Sequence, residues 1–171
     1  MKIGATVAVL LVVLATMGFQ CINDSFLISV NLEGLTGTFT INAGTGHFDN
    51  SVIITPSDYL DPSYTTYTGV RIYDIKVSTI GTYGGNVNGT ATVNGTPVLT
   101  FNGSFQYFNT PRSLLTDANI TRNAAGLNAL VNAINSRQQV TLRGFGDATP
   151  GPFPAGQQVV IEVLGQVDAQ P

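Results

Sequence analysis

The chain has 171 residues, a formal net charge of −3 and charged side chains at one position in ten. Beyond the N-terminal segment its cations are Lys76 and five arginines, so it lacks the basic stripe that neutralises phosphates, and we expect no nucleic-acid partner. The one cysteine excludes an intramolecular disulfide and a cysteine zinc site, and the sequence indicates no metal and no other cofactor.

The N-terminal segment is the most informative part of the sequence. Lys2 precedes an apolar run from Ile3 to Met17, and Cys21 follows shortly after. One basic residue before an apolar core of about 7–15 residues is typical of a secretory signal. We therefore predict that residues 1–20 are a signal peptide or membrane anchor. Residues 21–171 should form a single β-rich extracytoplasmic domain, exported to the periplasm or cell surface and anchored at the membrane.

Three fates of this segment are compatible with the sequence. The first resembles bacterial lipoprotein processing, with lipidation of Cys21, although Gly18 and Gln20 depart from the residues usual before such a cysteine. The second is ordinary signal cleavage after Gly18. The third is a retained anchor, but Ile3 to Phe19 gives a helix of about 25 Å against a hydrocarbon core of about 30 Å. In the first and third, the N-terminus contacts membrane lipid or integral membrane proteins.

Alternating apolar residues predict the first strands. Phe26 to Leu32 and Thr38 to Asn42 are predicted as a strand pair, with Gly34 and Gly37 between them. His47 to Thr55 is predicted as a third strand.

The middle of the chain carries the clearest local signals. Gly69 to Thr79 is predicted as a strand, and the change of apolar phase near Asp74 indicates a bulge or burial on both faces. Residues 85–105 are predicted as a hairpin, because Asn94-Gly95 between alternating runs fits a type I′ turn.

Two helices are predicted in the later part of the chain. Thr110-Pro111 has the cap and first-turn residues of a short helix. Asn123 to Ser136 is predicted as a longer amphipathic helix that lies against a sheet or closes one end of it. Its apolar stripe consists of Leu127, Leu130, Val131 and Ile134.

The last strands are predicted at Val140 to Phe145 and Gln158 to Val167, with a Pro/Gly loop from Asp147 to Gly156 between them. About eight short strands and one amphipathic helix indicate a mainly β protein. Its architecture is predicted as an antiparallel β-sandwich or a partly open barrel.

Catalytic and metal motifs are weak in this sequence. His47 and Asp49 would share one face of a strand, but no second histidine completes a usual metal site, and no Gly-x-Ser-x-Gly elbow presents a nucleophile. Asp58 and Asp61 are more typical of turns than of a calcium loop. We therefore predict that the protein is not an enzyme.

Two aromatic segments are the candidate binding sites. Tyr59, Tyr64 and Tyr67 lie in a segment too long for a simple hairpin loop, and tyrosine combines a flat apolar ring with a polar tip. Phe153 lies between two prolines on a stiffened loop, where it is either an exposed docking aromatic or packed into the end of the sandwich.

The expected function is an accessory or scaffolding role in an envelope or membrane-protein assembly, acting by non-covalent contact with a protein partner. The alternative is a ligand-binding module that takes a carbohydrate or a small apolar molecule on the loop of Tyr59, Tyr64 and Tyr67.

Overall fold

A computed structural model describes the backbone of residues 28–55 and 66–170 and the side chains of residues 35–55 and 69–168. These ranges contain nine strands, one α-helix and a short 3-10 turn at Tyr107–Asn109. The elements are β1 (Ile28–Thr40), β2 (His47–Ile54), β3 (Thr66–Ile80), β4 (Asn86–Val93), β5 (Thr96–Ser104), β6 (Arg112–Ser113), β7 (Ile120–Arg122), α1 (Ala124–Asn135), β8 (Val140–Thr149) and β9 (Gln158–Gln170).

The strands form two antiparallel sheets. One has the order β1-β9-β3-β6 and the other the order β2-β8-β4-β5-β7. No strand pair among the described residues joins the two sheets, and apolar residues from both line a common interior. The predicted mainly β fold is confirmed, and its form is the sandwich.

Apolar side chains at alternate strand positions fill the space between the sheets. On β9, Val159, Ile161 and Val163 face inward and are almost fully buried, while Glu162 faces outward. One void between the sheets has a volume of about 10 Å³ and is lined by apolar side chains. Since a water molecule needs at least about 10–15 Å³, the side chains around this void are tightly packed.

Phenylalanine rings lie directly against glycine backbone in this core. A Cβ atom on Gly144 would lie 2.9 Å from the ring of Phe39. A Cβ atom on Gly89 would lie 2.6 Å from Cζ of Phe101 and 2.9 Å from Cζ of Phe48. Each ring therefore occupies the volume that a side chain at the glycine position would need.

The first predicted strand pair is wrong, because β1 is one continuous strand of 13 residues along β9. Its register shifts between Leu32 and Leu35, so Gly34 lies at an irregularity within the strand and not in a turn. Gly37 lies inside the strand, where a Cβ atom would be 2.7 Å from Cδ2 of Leu142. In the sequence both glycines look like turn residues. In the structure Gly34 lies at a register shift, and Gly37 makes room for a side chain of the other sheet.

The hairpin and the bulge are confirmed. β4 and β5 flank Asn94 and Gly95, whose φ angles are 48° and 82°. On β3 the register shifts between Ile72 and Asp74, which explains the change of apolar phase there.

The later helix is confirmed, and the earlier one is wrong. Asn123 caps α1 by accepting a hydrogen bond from the backbone of Ala125, and Leu130 and Ile134 are buried. Residues 112–113 instead form β6, which pairs with Lys76 and Val77 of β3. Because β6 directly follows Thr110-Pro111, its pairing with β3 overrides the local preference of these two residues for a helix start.

The two sheets end at different heights. Leu35 and Val163 of the four-stranded sheet face Ile54 and Val140, which are terminal residues of β2 and β8. β1, β3 and β9 continue beyond these contacts, so the four-stranded sheet extends further at the end where β1 begins. We call this the Ile28 end. Helix α1 contacts strands of both sheets and closes the sandwich.

The ring-on-glycine packing predicts the effect of a single methyl group. Gly89→Ala should lower the free energy of unfolding by about 1–3 kcal/mol, because the new Cβ atom collides with Phe48 and Phe101. Gly84→Ala is the matched control, since its nearest neighbour is the flexible side chain of Gln106 at 3.4 Å, and it should change stability by less than about 0.5 kcal/mol. Equal urea midpoints for the two variants would contradict this packing.

Candidate functional site

The outer face of the five-stranded sheet carries two parallel rows of side chains that cross its strands. The register aligns Asp147 with Asn88 and Asn88 with Asn102, and the backbone amide of Asn102 donates to the carbonyl of Asn119. The first row therefore consists of Asp147, Asn88, Asn102 and Asn119. The same register aligns the second row, which consists of Phe145, Thr90, Thr100 and Thr121.

A shallow trough runs between these rows, and we call it the cross-strand trough. It comprises two depressions of about 340 and 230 Å³ that share Thr100 and Phe101. Its floor includes the backbone of Gly146, Gly89 and Phe101, whose side-chain positions point inward. Since neighbouring strands lie about 4.8 Å apart, the four strands give the trough a length of about 14 Å.

His47 lies beside the trough on the edge strand β2. Its Nδ1 atom is 3.0 Å from Oδ1 of Asp147, the residue opposite it in the register. The two side chains are 53% and 63% exposed, so this is a surface pair. A contact this exposed contributes little stability, so its effect is to orient Asp147 at the end of the first row.

Asp49 and Arg143 form the second polar pair on this face. Nε and one terminal nitrogen of Arg143 donate to the two carboxylate oxygens of Asp49 at 2.7 and 2.6 Å. These hydrogen bonds lower the pKa of Asp49 and raise that of Arg143. The guanidinium carbon also lies 5.0 Å from the centre of the Phe145 ring. Arg143 is thus held over the aromatic end of the second row.

His47 and Asp49 share one face, as the sequence predicted, but each has a different partner. Asp74 lies on the other sheet, where it accepts a hydrogen bond from Ser113 at 2.8 Å. In the part of the chain that the structure describes, no three His, Cys, Asp or Glu side chains come together as a metal site. Asp58 and Asp61 lie outside the described residues.

Phe153 is packed into the sandwich, and the exposure expected of a docking aromatic is not observed. It is 4% exposed, and its ring centre lies 3.8 Å from that of Tyr83 and 6.4 Å from that of Phe105. Its carbonyl accepts a hydrogen bond from Gly44 at 3.0 Å. The flanking prolines hold the ring over the end opposite Ile28, so the packing alternative describes this residue.

The other predicted site residues are largely outside the described part of the chain. Cys21, Tyr59 and Tyr64 lie outside it, and Tyr67 is described in its backbone alone. Tyr67 stands on β3 opposite Ala169 of β9, while Ile28 of β1 stands opposite the same residue. The tyrosine segment therefore enters β3 at the Ile28 end of the sandwich.

The trough residues were missed by sequence reasoning. Asn88, Thr90 and Thr100 point away from the core, but an outward position alone does not distinguish them from other outward residues. The signal that identifies them is the pairing of β8 with β4, which joins residues far apart in sequence.

Comparisons of the chain with protein-family models, with curated proteins and with solved structures give no match. Among the described helices, none has the length and hydrophobicity required to cross a membrane.

The burial of Phe153 gives a direct prediction. Phe153→Ala should lower the free energy of unfolding by about 3–5 kcal/mol, because it removes a ring packed on two others. Leu115→Ala is the control, since Leu115 is 59% exposed, and it should cost less than about 0.5 kcal/mol. If urea denaturation showed a small effect at both positions, Phe153 would be a surface aromatic after all.

Proposed function

We propose that this protein is a membrane-attached extracytoplasmic accessory or scaffolding component of an envelope or membrane-protein assembly, acting by non-covalent contact. The observation that carries the proposal is the place where the chain enters the sandwich. Strand β1 begins at Ile28, seven residues after Cys21, at the end where the four-stranded sheet extends furthest. An N-terminal attachment would therefore act on this end of the domain.

The covalent geometry limits how far such an attachment can reach. Seven residue steps from Cys21 to Ile28 span at most about 25 Å. A lipid on Cys21 or a retained apolar segment would hold the Ile28 end close to the membrane. The outer faces of both sheets would then point sideways, where neighbouring envelope components lie.

The surface chemistry favours contact as the mode of action. The outer face of the five-stranded sheet presents amides and hydroxyls, together with the Asp49–Arg143 ion pair and the His47–Asp147 contact. Polar, exposed and largely neutral surfaces are suited to recognition through many weak hydrogen bonds. This face, outside the cross-strand trough, is the proposed contact surface for a protein partner.

The alternative ligand-binding function divides into two cases. A small apolar ligand would not fit the void that Leu35, Ile54 and Val140 help to line, since this void is about 10 Å³ whereas a cavity that binds benzene is about 150 Å³. A carbohydrate ligand does not need an interior cavity. The prediction from the sequence places either ligand on the loop of Tyr59, Tyr64 and Tyr67, whose segment meets the described fold at the Ile28 end.

The intact mass of the full protein, purified from its native membrane after a high-salt wash, tests the attachment. The expected mass either begins at Cys21 and includes acyl chains or retains residues 1–20. Both forms should stay in the membrane pellet until detergent is added, because burial of acyl chains or of the apolar run holds them there.

Cys21→Ala distinguishes these two forms by mass, since it should remove the acyl chains from a lipidated protein and change the mass of a retained anchor by the substitution alone. A soluble protein that begins at Phe19, as expected after cleavage behind Gly18, would overturn the proposed attachment.

A further inference from the structure

The trough presents hydrogen-bonding groups that are not used within the fold. Among the described residues, no group pairs with the side-chain amides of Asn88 and Asn102 or with the hydroxyls of Thr90 and Thr100. An amide offers two donors and an acceptor, and a hydroxyl is both a donor and an acceptor. A ligand that matches these groups must itself carry closely spaced donors and acceptors.

The charges around the trough indicate an uncharged ligand. Asp147 is the ionisable residue that lines it, and His47 lies 3.0 Å from its carboxylate. The charge of Arg143 is matched by Asp49. An anionic chain would require unmatched cations along its path, and a cationic chain would require a series of carboxylates, of which Asp147 is the one that lines the trough.

The shape of the trough indicates a chain and not a compact molecule. The trough is open, crosses four strands and has a length of about 14 Å. Its floor is close to the backbone at Gly146 and Gly89, which allows a flat ring to approach the sheet. Phe145 flanks one end and offers an apolar surface of the kind that packs against the C–H face of a sugar ring.

A peptide is less well suited to this place. Extended peptides bind by adding a strand to the edge of a sheet, where backbone groups are unpaired. The trough lies over β8, β4 and β5, which are interior strands whose backbone groups pair on both sides. Protein interfaces also concentrate aromatic side chains at their core, whereas Phe145 is the single aromatic side chain among the outward-facing residues of the trough.

We propose that the cross-strand trough binds an uncharged polysaccharide, whose chain runs across strands β8, β4, β5 and β7 between the Asn and Thr rows. The chain's hydroxyls exchange hydrogen bonds with Asn88, Asn102 and Thr100, and one sugar ring packs on Phe145. This site is distinct from the tyrosine segment, and it does not depend on the form of the membrane attachment.

Affinity electrophoresis of the full-length protein in detergent tests the proposal. The gels contain soluble starch, dextran or hydroxyethyl cellulose as three uncharged polysaccharides of different linkage. Asn88→Ala and Thr100→Ala change the two rows of the trough. Asn86→Ala, on the same strand and face, and Thr38→Ala, on the outer face of the other sheet, are the matched controls.

The expected result is retardation by at least one polysaccharide that persists in high salt, since no net charge drives it. Each trough variant should weaken binding by about tenfold, which corresponds to the loss of one or two hydrogen bonds, and the controls should bind like the native protein.

Three results would overturn the proposal. They are no retardation in any gel, retardation that disappears in high salt, and equal losses in the trough and control variants. A protein that co-purifies with the native chain but not with Asn88→Ala, in the absence of retardation, would show that the trough is a protein interface instead. Because these gels do not involve the membrane, their failure is distinguishable from failure of the proposed attachment.

Discussion

The sandwich depends on phenylalanine rings packed against glycine backbone between its two sheets. Phe39 lies on Gly144, and Phe48 and Phe101 lie on Gly89. At these contacts a large ring from one strand occupies the space that a side chain on another strand would need, so the ring and the glycine backbone pack closely. Because glycine has no side chain, only backbone separates the ring on the inner side of the sheet from the outer surface at Gly89. The inner packing and the outer surface of the five-stranded sheet are therefore determined by the same residues.

This coupling connects the core to the candidate site. Gly89 and Gly146 stand opposite each other on β4 and β8, with Phe48 on their inner side and the trough on their outer side. A side chain at either position would displace the ring, shift the two strands and disturb the register that aligns the two rows. The proposed recognition surface thus depends on core packing, and substitutions inside the sandwich would alter it without touching a ligand.

The elements predicted correctly from the sequence are those whose structure depends on residues close together in the chain. Asn94-Gly95 specified the hairpin, and the apolar spacing around Leu130 specified the helix, because turn geometry and helical periodicity depend on neighbouring residues. The glycine at position 37 was misinterpreted as a turn signal, since its role is contact with Leu142, which is distant in sequence. The trough could not be predicted for the same reason: its rows exist only once β8 pairs with β4.

The central claim is that the outer face of the five-stranded sheet is the working surface of a membrane-attached domain. The most direct test is photo-cross-linking in intact cells, with a photoreactive amino acid placed at position 100 in the trough or at position 38 on the opposite sheet. Both positions are exposed threonines on strands. The account predicts carbohydrate-containing adducts at position 100 and few at position 38. Adducts that are equal at both positions, or found mainly at position 38, would contradict it.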